Sequence, residues 1–263
     1  MARINTTSIG VLLSLALLYG CNGSSATDNP SSNTSDAIQS EEGFTPMFQN
    51  ESLAGWVGDT TYWRMDGDIL IGEITPEQSL TDNTFLIWEG KEMSDFILKS
   101  DFKITAEGNS GINYRSEQLN EPRFAMKGYQ ADIDGQHRYT GQNYEERNRT
   151  TLAYRGQRTE IKDSSPESPG KSEGNAWTNL EVVDSVASES ELNDIIKPNE
   201  WNEIKIVAEG NKLSHYINGL LVSETNDKDT EHRKDSGLIG VQVHVGPPMK
   251  VEYRNMRIKT LNQ

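Results

Sequence analysis

Lys127–Arg149, KGYQADIDGQHRYTGQNYEERNR, is the stretch from which the rest of the chain is read. It opens as a strand. Strand side chains alternate between faces, so Gln130, Asp132 and Asp134 share one face and Tyr129, Ala131 and Ile133 the other. The apolar face can pack against a second sheet. The polar face carries two carboxylates and an amide. On an ordinary antiparallel strand such a face is solvated. Here Tyr139, Gly141, Tyr144, Glu145, Glu146, Arg147 and Arg149 follow closely. Acids, aromatics and arginines crowded beside a polar strand face are what a sugar-binding cleft uses.

The flanking sequence repeats the strand pattern. Trp63–Ile71 is a predicted hairpin around Asp66-Gly67, and Asn218-Gly219 marks a second between apolar flanks. Phe85–Trp88, Phe96–Ile104, Trp201–Ala208, Lys212–Ile217, Gly237–His244 and Lys250–Lys259 are further strands. Asn109-Ser110-Gly111 is expected as a turn or bulge feeding Ile112–Arg115, where Asn113 and Arg115 would share a face. Thr150–Ile161 contains another strand, and Lys162–Asn175 a long Ser/Pro/Glu/Gly-rich loop. Ser188–Ile196 is the one predicted helix: Ser188 caps it, Glu191 stands at capping-box spacing, and Pro198 follows its end. Strands every 8–12 residues or so with one short helix define an all-β fold, a single jelly-roll or concanavalin-like β-sandwich.

The N-terminal sequence is set apart from this pattern. Ile9–Leu18 is an apolar run too short to span a bilayer, behind a weakly basic start at Arg3. It ends at Leu18-Tyr19-Gly20-Cys21, which resembles a bacterial lipobox, although Tyr19 is bulky for its position. Cys21 is the only cysteine, so no disulfide forms within the chain and the thiol sits where lipidation needs it. Residues 1–20 are expected as a lipoprotein signal peptide and 21–42, rich in Ser, Asn, Thr and Asp, as a flexible tether. Residues 43–263 form the folded domain. The formal net charge of -15 argues against nucleic acid and anionic headgroups as partners. The expected location is the cell envelope, periplasmic or surface-exposed, with a lipidated Cys21 holding the chain to a membrane.

The four histidines are His137, His215, His232 and His244. His244 ends an apolar strand just before Gly246-Pro247-Pro248, a rigid turn that would hold an imidazole base in place. Asp132, Asp134, Glu146 or His244 can hold a divalent metal ion, although no spacing demands one. Asp132 and Glu146 can also form the carboxylate pair of a glycosidase. The residues themselves leave the reaction type open.

The chain resembles the bacterial 3-keto-disaccharide hydrolase family from about Gly43 to Leu261. Phe44–Trp56, Asn109–Ile112 with Arg115, and Gly128–Ile133 carry the likeness. So do Tyr144, Glu146, Arg149, Trp201-Asn202, Asn218-Gly219, Gly240–His244, Gly246–Met249 and Arg254-Asn255. Asn148 replaces a glycine common in the family, and asparagine tolerates a left-handed backbone there. The resemblance implies a jelly roll acting on sugars already oxidised at C3. A 3-ketone acidifies the C2 proton. Its removal lets the C1 substituent leave by β-elimination, and hydration of the enone completes a net hydrolysis. Matched to this chain, His244 would be the base and Asp132 or Glu146 the second proton carrier. Arg115 or a divalent ion would stabilise the enolate oxygen. Gln130, Tyr144, Arg149, Gln242 and Asn113 would bind the sugar. The alternatives are a noncatalytic carbohydrate-binding lipoprotein and a conventional two-carboxylate glycosidase.

Overall fold

The computed structural model describes residues 41–48 and 51–261. The apolar run Ile9–Leu18, the lipobox with Cys21 and the tether lie outside the described residues. In chain order the strands are β1 (Thr45–Pro46), β2 (Trp56–Val57), β3 (Trp63–Asp66), β4 (Ile69–Ile74), β5 (Thr84–Trp88), β6 (Phe96–Ile104) and β7 (Asn109–Gln118). They continue with β8 (Met126–Asp134), β9 (Asn143–Glu146), β10 (Thr150–Ala153), β11 (Gln157–Ile161), β12 (Ser172–Glu173) and β13 (Ala176–Trp177). The last are β14 (Leu180–Ser185), β15 (Asn202–Glu209), β16 (Lys212–Ile217), β17 (Leu220–Asp227), β18 (Leu238–Val243) and β19 (Met249–Thr260). One helix, α1 (Glu189–Ile195), precedes β15.

These strands form two sheets, and the fold is a jelly-roll β-sandwich. One sheet has nine strands in the order β12-β13-β10-β9-β8-β7-β18-β5-β2. The other has ten: β14-β11-β17-β16-β15-β6-β19-β4-β3, with β1 paired to β19. The core lies between them. Tyr129, Ala131 and Ile133 of β8 are fully buried there, as the alternation predicts, with Ile112 and Tyr114 of β7 and Val241 and Val243 of β18. Leu98, Phe102, Ile204, Ile206, Val251 and Tyr253 meet them from the ten-stranded sheet. Full burial of each such side chain stabilises the fold by about 1.5–3 kcal/mol.

Local signals hold where their chemistry is local. Ser188 Oγ accepts from Glu191 N at 3.3 Å and Ser188 N donates to Glu191 Oε2 at 2.8 Å, closing the capping box. Asn218 and Gly219 take φ of 48° and 87° between the paired residues Ile217 and Leu220, the backbone a two-residue hairpin needs. In the first hairpin Asp66 pairs with Ile69, so the turn residues are Gly67 and Asp68, one position later than expected. Asn109–Gly111 is regular strand rather than a turn, pairing with Asp132–Asp134. Thr150–Ile161 holds two strands, β10 and β11, which belong to different sheets.

A bulge corrects the reading of Arg115. The β7–β8 register shifts between Tyr114 and Glu117, and Arg115 has φ of 44°. Strict alternation therefore ends at Tyr114. Arg115 is buried away from the polar face, where Nε donates to Ser94 O at 2.8 Å and Nη1 to Gly210 O at 2.7 Å. Its Nη2 pairs with Asp95 Oδ1 at 2.9 Å. It ties loop and hairpin ends together.

Arg149 is likewise placed in the interior. Its guanidinium binds Glu145 Oε2 at 2.5 Å and Asp227 Oδ2 at 2.6 Å, with Asp229 Oδ2 3.5 Å away, all fully buried. Burial alone would lower its pKa, but Glu145 and Asp227 outweigh it and hold the guanidinium charged. The backbone around it is left-handed at Arg147 (φ 57°) before it and at Thr150 (φ 66°) after it, not at Asn148.

Candidate active site

The polar face of the nine-stranded sheet opens onto a cavity of about 550 Å³. Gln130 and Asp132 of β8, Tyr144 and Glu146 of β9, and His244 at the end of β18 line it. These five predicted site residues are therefore gathered at one place. Asn113 and Gln242 are fully buried in the same sheet and do not line the cavity. Asn113 pairs in register with Gln130. Gln242 Nε2 approaches Glu146 Oε2 at 3.4 Å. Arg115 and Arg149 are not at the cavity, for the reasons given above.

Asp132 sits at the centre of the polar contacts. Gln130 Nε2 donates to its Oδ1 at 2.6 Å and Gln142 Nε2 to its Oδ2 at 2.5 Å. Burial pushes its carboxyl up to about 7; the two amides pull the other way, and Glu146 and Asp134 add to the rise. A carboxyl poised there can hold or release a proton at neutral pH.

His244 Nδ1 lies 2.6 Å from Val245 O. A carbonyl only accepts, so Nδ1 carries the proton and Nε2 of the neutral ring has the free lone pair. The ring is half-buried. Burial, with Glu146 and Asp132 adding to it, pushes the Tyr144 phenol up to about 12, so it remains a donor at neutral pH.

Several cavity residues were not among the predicted site residues. Asn83, in the connection from β4 to β5, donates from Nδ2 to Glu146 Oε1 at 3.1 Å, and its Oδ1 accepts from Val245 N at 2.9 Å. Arg147 supplies the cation expected from Arg115 and Arg149: it lines the cavity, with Nη2 3.3 Å from Asp82 Oδ1 and Nε 3.8 Å from Glu146 Oε1. Asn109, Tyr139, Gln142 and Asn175 complete the wall. Asp134 faces the loop instead. Its Oδ1 accepts from Tyr139 N at 2.9 Å and its Oδ2 from Arg138 N at 3.0 Å, fixing the segment that carries Tyr139 and Gln142.

The same loop is supported from the other sheet. Gly141 has φ of 88°, and a Cβ there would stand 2.3 Å from Val222 Cγ2. Its carbonyl accepts from Ser223 Oγ at 2.7 Å. His215 Nδ1 lies 3.3 Å from both Gly141 O and Gln142 O, so it carries the proton, and Nε2 accepts from Tyr114 Oη at 2.9 Å. Burial lowers the His215 pKa to about 4, leaving it neutral. His215 thus braces Gln142 from behind.

Among the described residues no three His, Cys, Asp or Glu side chains are grouped to hold a metal ion. Of the set Asp132, Asp134, Glu146 and His244, Asp134 is committed to its own loop and both oxygens of Asp132 to Gln130 and Gln142.

A β-sandwich with a cavity on one polar sheet face that gathers acids, amides and an imidazole is of the carbohydrate-active class. The chain belongs to the 3-keto-alpha-glucoside-1,2-lyase-like domain family, whose model matches residues 43–259. Two solved structures share the fold, both candidate glycosyl hydrolases from Parabacteroides distasonis. One is 16% identical over 83% of this chain and 99% of its own, with a TM-score of 0.54. The other is 18% identical over 87% and 97%, also with a TM-score of 0.54. No curated protein matches the chain.

Proposed function

We propose that the protein cleaves 3-keto-glycosides, and that it does so by proton abstraction at C2 followed by loss of the C1 substituent. The observation that carries this reading is the imidazole of His244 sharing one cavity with the buried carboxyl of Asp132, in a domain of this family. His244 Nε2, free of a proton, takes the C2 proton, and the electron pair moves into the enolate of the 3-ketone. Collapse of the enolate breaks the C1–O bond. Asp132, protonated in part at neutral pH, gives its proton to the leaving oxygen. Glu146 is held ready beside it by Asn83 and Gln242. Tyr144 and Arg147 offer donors to the developing enolate oxygen. Addition of water to the resulting enone gives the net hydrolysis product. Lipidation at Cys21 would keep this activity at the cell envelope.

The test is turnover of a 3-keto-glucoside beside its unoxidised parent, with wild type and His244→Ala. Wild type should release the aglycone from the oxidised sugar alone, and His244→Ala should fall to background while melting as wild type does. Equal turnover of the unoxidised glycoside would favour a two-carboxylate glycosidase. An active His244→Ala would remove the imidazole from the reaction.

A further inference from the structure

The acids and the imidazole of the cavity are already bonded within the protein. Asp132 is held by Gln130 and Gln142, Glu146 by Asn83, and His244 Nδ1 by Val245 O. Two side chains of the wall differ. Tyr139 is 44% exposed, the one aromatic among the large hydrophobic side chains exposed on the described residues. Among those residues no aromatic or cation packs on its ring and nothing bonds its hydroxyl. Its backbone is fixed: N donates to Asp134 Oδ1 at 2.9 Å, and O accepts from Gln142 N at 2.8 Å. Asn175 is also exposed and lines the same cavity, and its amide has no partner among the described residues. With Gly174 it forms the turn between the paired residues Glu173 and Ala176, at φ of 58° for the glycine and 64° for Asn175, the backbone of a two-residue hairpin. Its carbonyl accepts from Thr151 N at 3.3 Å. Both side chains thus stand on fixed backbone with no partner of their own.

Strand order places both on one side of the acid. His244 follows β18 and Asp132 lies on β8, two strand spacings away, and β9, β10 and β13 continue in the same direction. Tyr139 stands on the connection from β8 to β9, and Asn175 just before β13. From β18 to β13 is five strand spacings, roughly 24 Å on a flat sheet, more than one pyranose ring covers. In the reaction proposed above, His244 acts at C2 and Asp132 at the C1 oxygen. The direction from C2 to that oxygen therefore runs from β18 toward β8, and whatever the oxygen carries continues toward Tyr139 and Asn175. We propose that Tyr139 and Asn175 form a subsite for the leaving group: a ring carried on the C1 oxygen lays one face on the Tyr139 ring, and its polar edge meets the Asn175 amide. This rests on the reading above for the placement of the oxidised ring. The C–H face of a second sugar and the face of an aryl group both suit the tyrosine. Only a sugar has the hydroxyls that use both the donor and the acceptor of the amide.

The experiment is calorimetric titration of the full chain with three unoxidised ligands: methyl glucoside, phenyl glucoside and a glucosyl-glucose disaccharide. Wild type should bind at least one of the two ring-bearing ligands about three- to tenfold more tightly than methyl glucoside. Tyr139→Ala should abolish that advantage, and Tyr139→Phe should keep it. If the ring is a sugar, the disaccharide has the advantage and Asn175→Ala reduces it. If the ring is an aryl group, phenyl glucoside has the advantage and Asn175→Ala leaves it. No advantage in wild type, including no binding of any of the three, would overturn the proposal. So would an advantage that survives Tyr139→Ala, or a disaccharide advantage untouched by Asn175→Ala. The expected pattern in a protein inert on 3-keto-glucosides would leave the subsite standing and remove only the catalytic reading. Turnover of 3-keto-glucosides without the pattern would do the reverse.

Discussion

Gln242 and Glu146 touch across the face of the sheet. They lie on β18 and β9, with β7 and β8 between them, yet Nε2 and Oε2 are 3.4 Å apart. Three strand spacings on a flat sheet are about 14 Å, close to the combined reach of the two extended side chains. The meeting therefore requires little side-chain bulk in between. Gly111 on β7, opposite Asp132, provides that space: a Cβ there would lie 2.6 Å from Gln130 Cγ.

Gly111→Ala should consequently disturb the site through Gln130. The added methyl displaces the Gln130 side chain, loosens its bond to Asp132 and overpacks a buried position, at a cost of about 1–3 kcal/mol. Urea denaturation should show that loss, and KM for a 3-keto-glucoside should rise at least severalfold. A variant with wild-type stability and KM would mean that Gln130 has free space to retreat into and that the glycine is incidental.

Arg149→Met should act on the fold. It leaves Glu145, Asp227 and Asp229 buried without their guanidinium. Breaking a buried ion pair from one side costs about 3–5 kcal/mol. Chemical denaturation should report a loss in that range, while the protein that remains folded binds sugar as wild type does. A loss below about 1 kcal/mol, or a selective loss of sugar binding, would return Arg149 to the cavity side of the argument.

The contrast among the three arginines shows what the sequence could and could not reveal. Period-two alternation placed Gln130 and Asp132 on the polar face and Tyr129, Ala131 and Ile133 in the core, because β8 is regular along that run. The same rule failed at Arg115, where one bulge and a left-handed φ reverse the side chain. Arg149, assigned to the sugar only through the family resemblance, lies between the left-handed residues Arg147 and Thr150, where no alternation applies. Arg147 is the cation that the cavity receives, and nothing in its local sequence separates it from Arg149. Asn83 is still harder to find. Its role depends on a connection meeting residues 63 and 162 positions further along the chain.

Two substitutions separate the two bonds of Asn83. Asn83→Ala removes both the donor to Glu146 and the acceptor for Val245 N. Asn83→Asp keeps the acceptor but sets a second carboxylate against Glu146. If Asn83 acts by positioning Glu146, Asn83→Asp should lose turnover on a 3-keto-glucoside at least as severely as Asn83→Ala, mostly in kcat. If Asn83→Asp keeps wild-type kcat, only the Val245 bond matters, and Glu146 needs no help from this side.

Asp132 and His215 should oppose each other in the pH dependence of stability. Burial raises the Asp132 carboxyl from 3.8 to about 7, with Glu146 and Asp134 adding to it, and lowers His215 from 6.5 to about 4. Between about pH 4 and 6.5 the folded Asp132 keeps a proton that the unfolded chain has lost, so its contribution falls as pH rises. Over the same interval the unfolded chain binds a proton at His215 that the folded protein refuses, so that contribution rises. Each slope is at most about 1.4 kcal/mol per pH unit, and the two nearly cancel. Asp132→Asn should expose the histidine alone. Relative to wild type, its stability should climb by about 3 kcal/mol from pH 4 to 6.5, and it should exceed wild type at pH 8, where an ionised buried carboxylate has been removed. Urea denaturation of both proteins at several pH values measures the difference directly. Parallel curves would mean that Asp132 titrates alike in the folded and unfolded chain, and its place as the proton donor in the proposed reaction would fall with it.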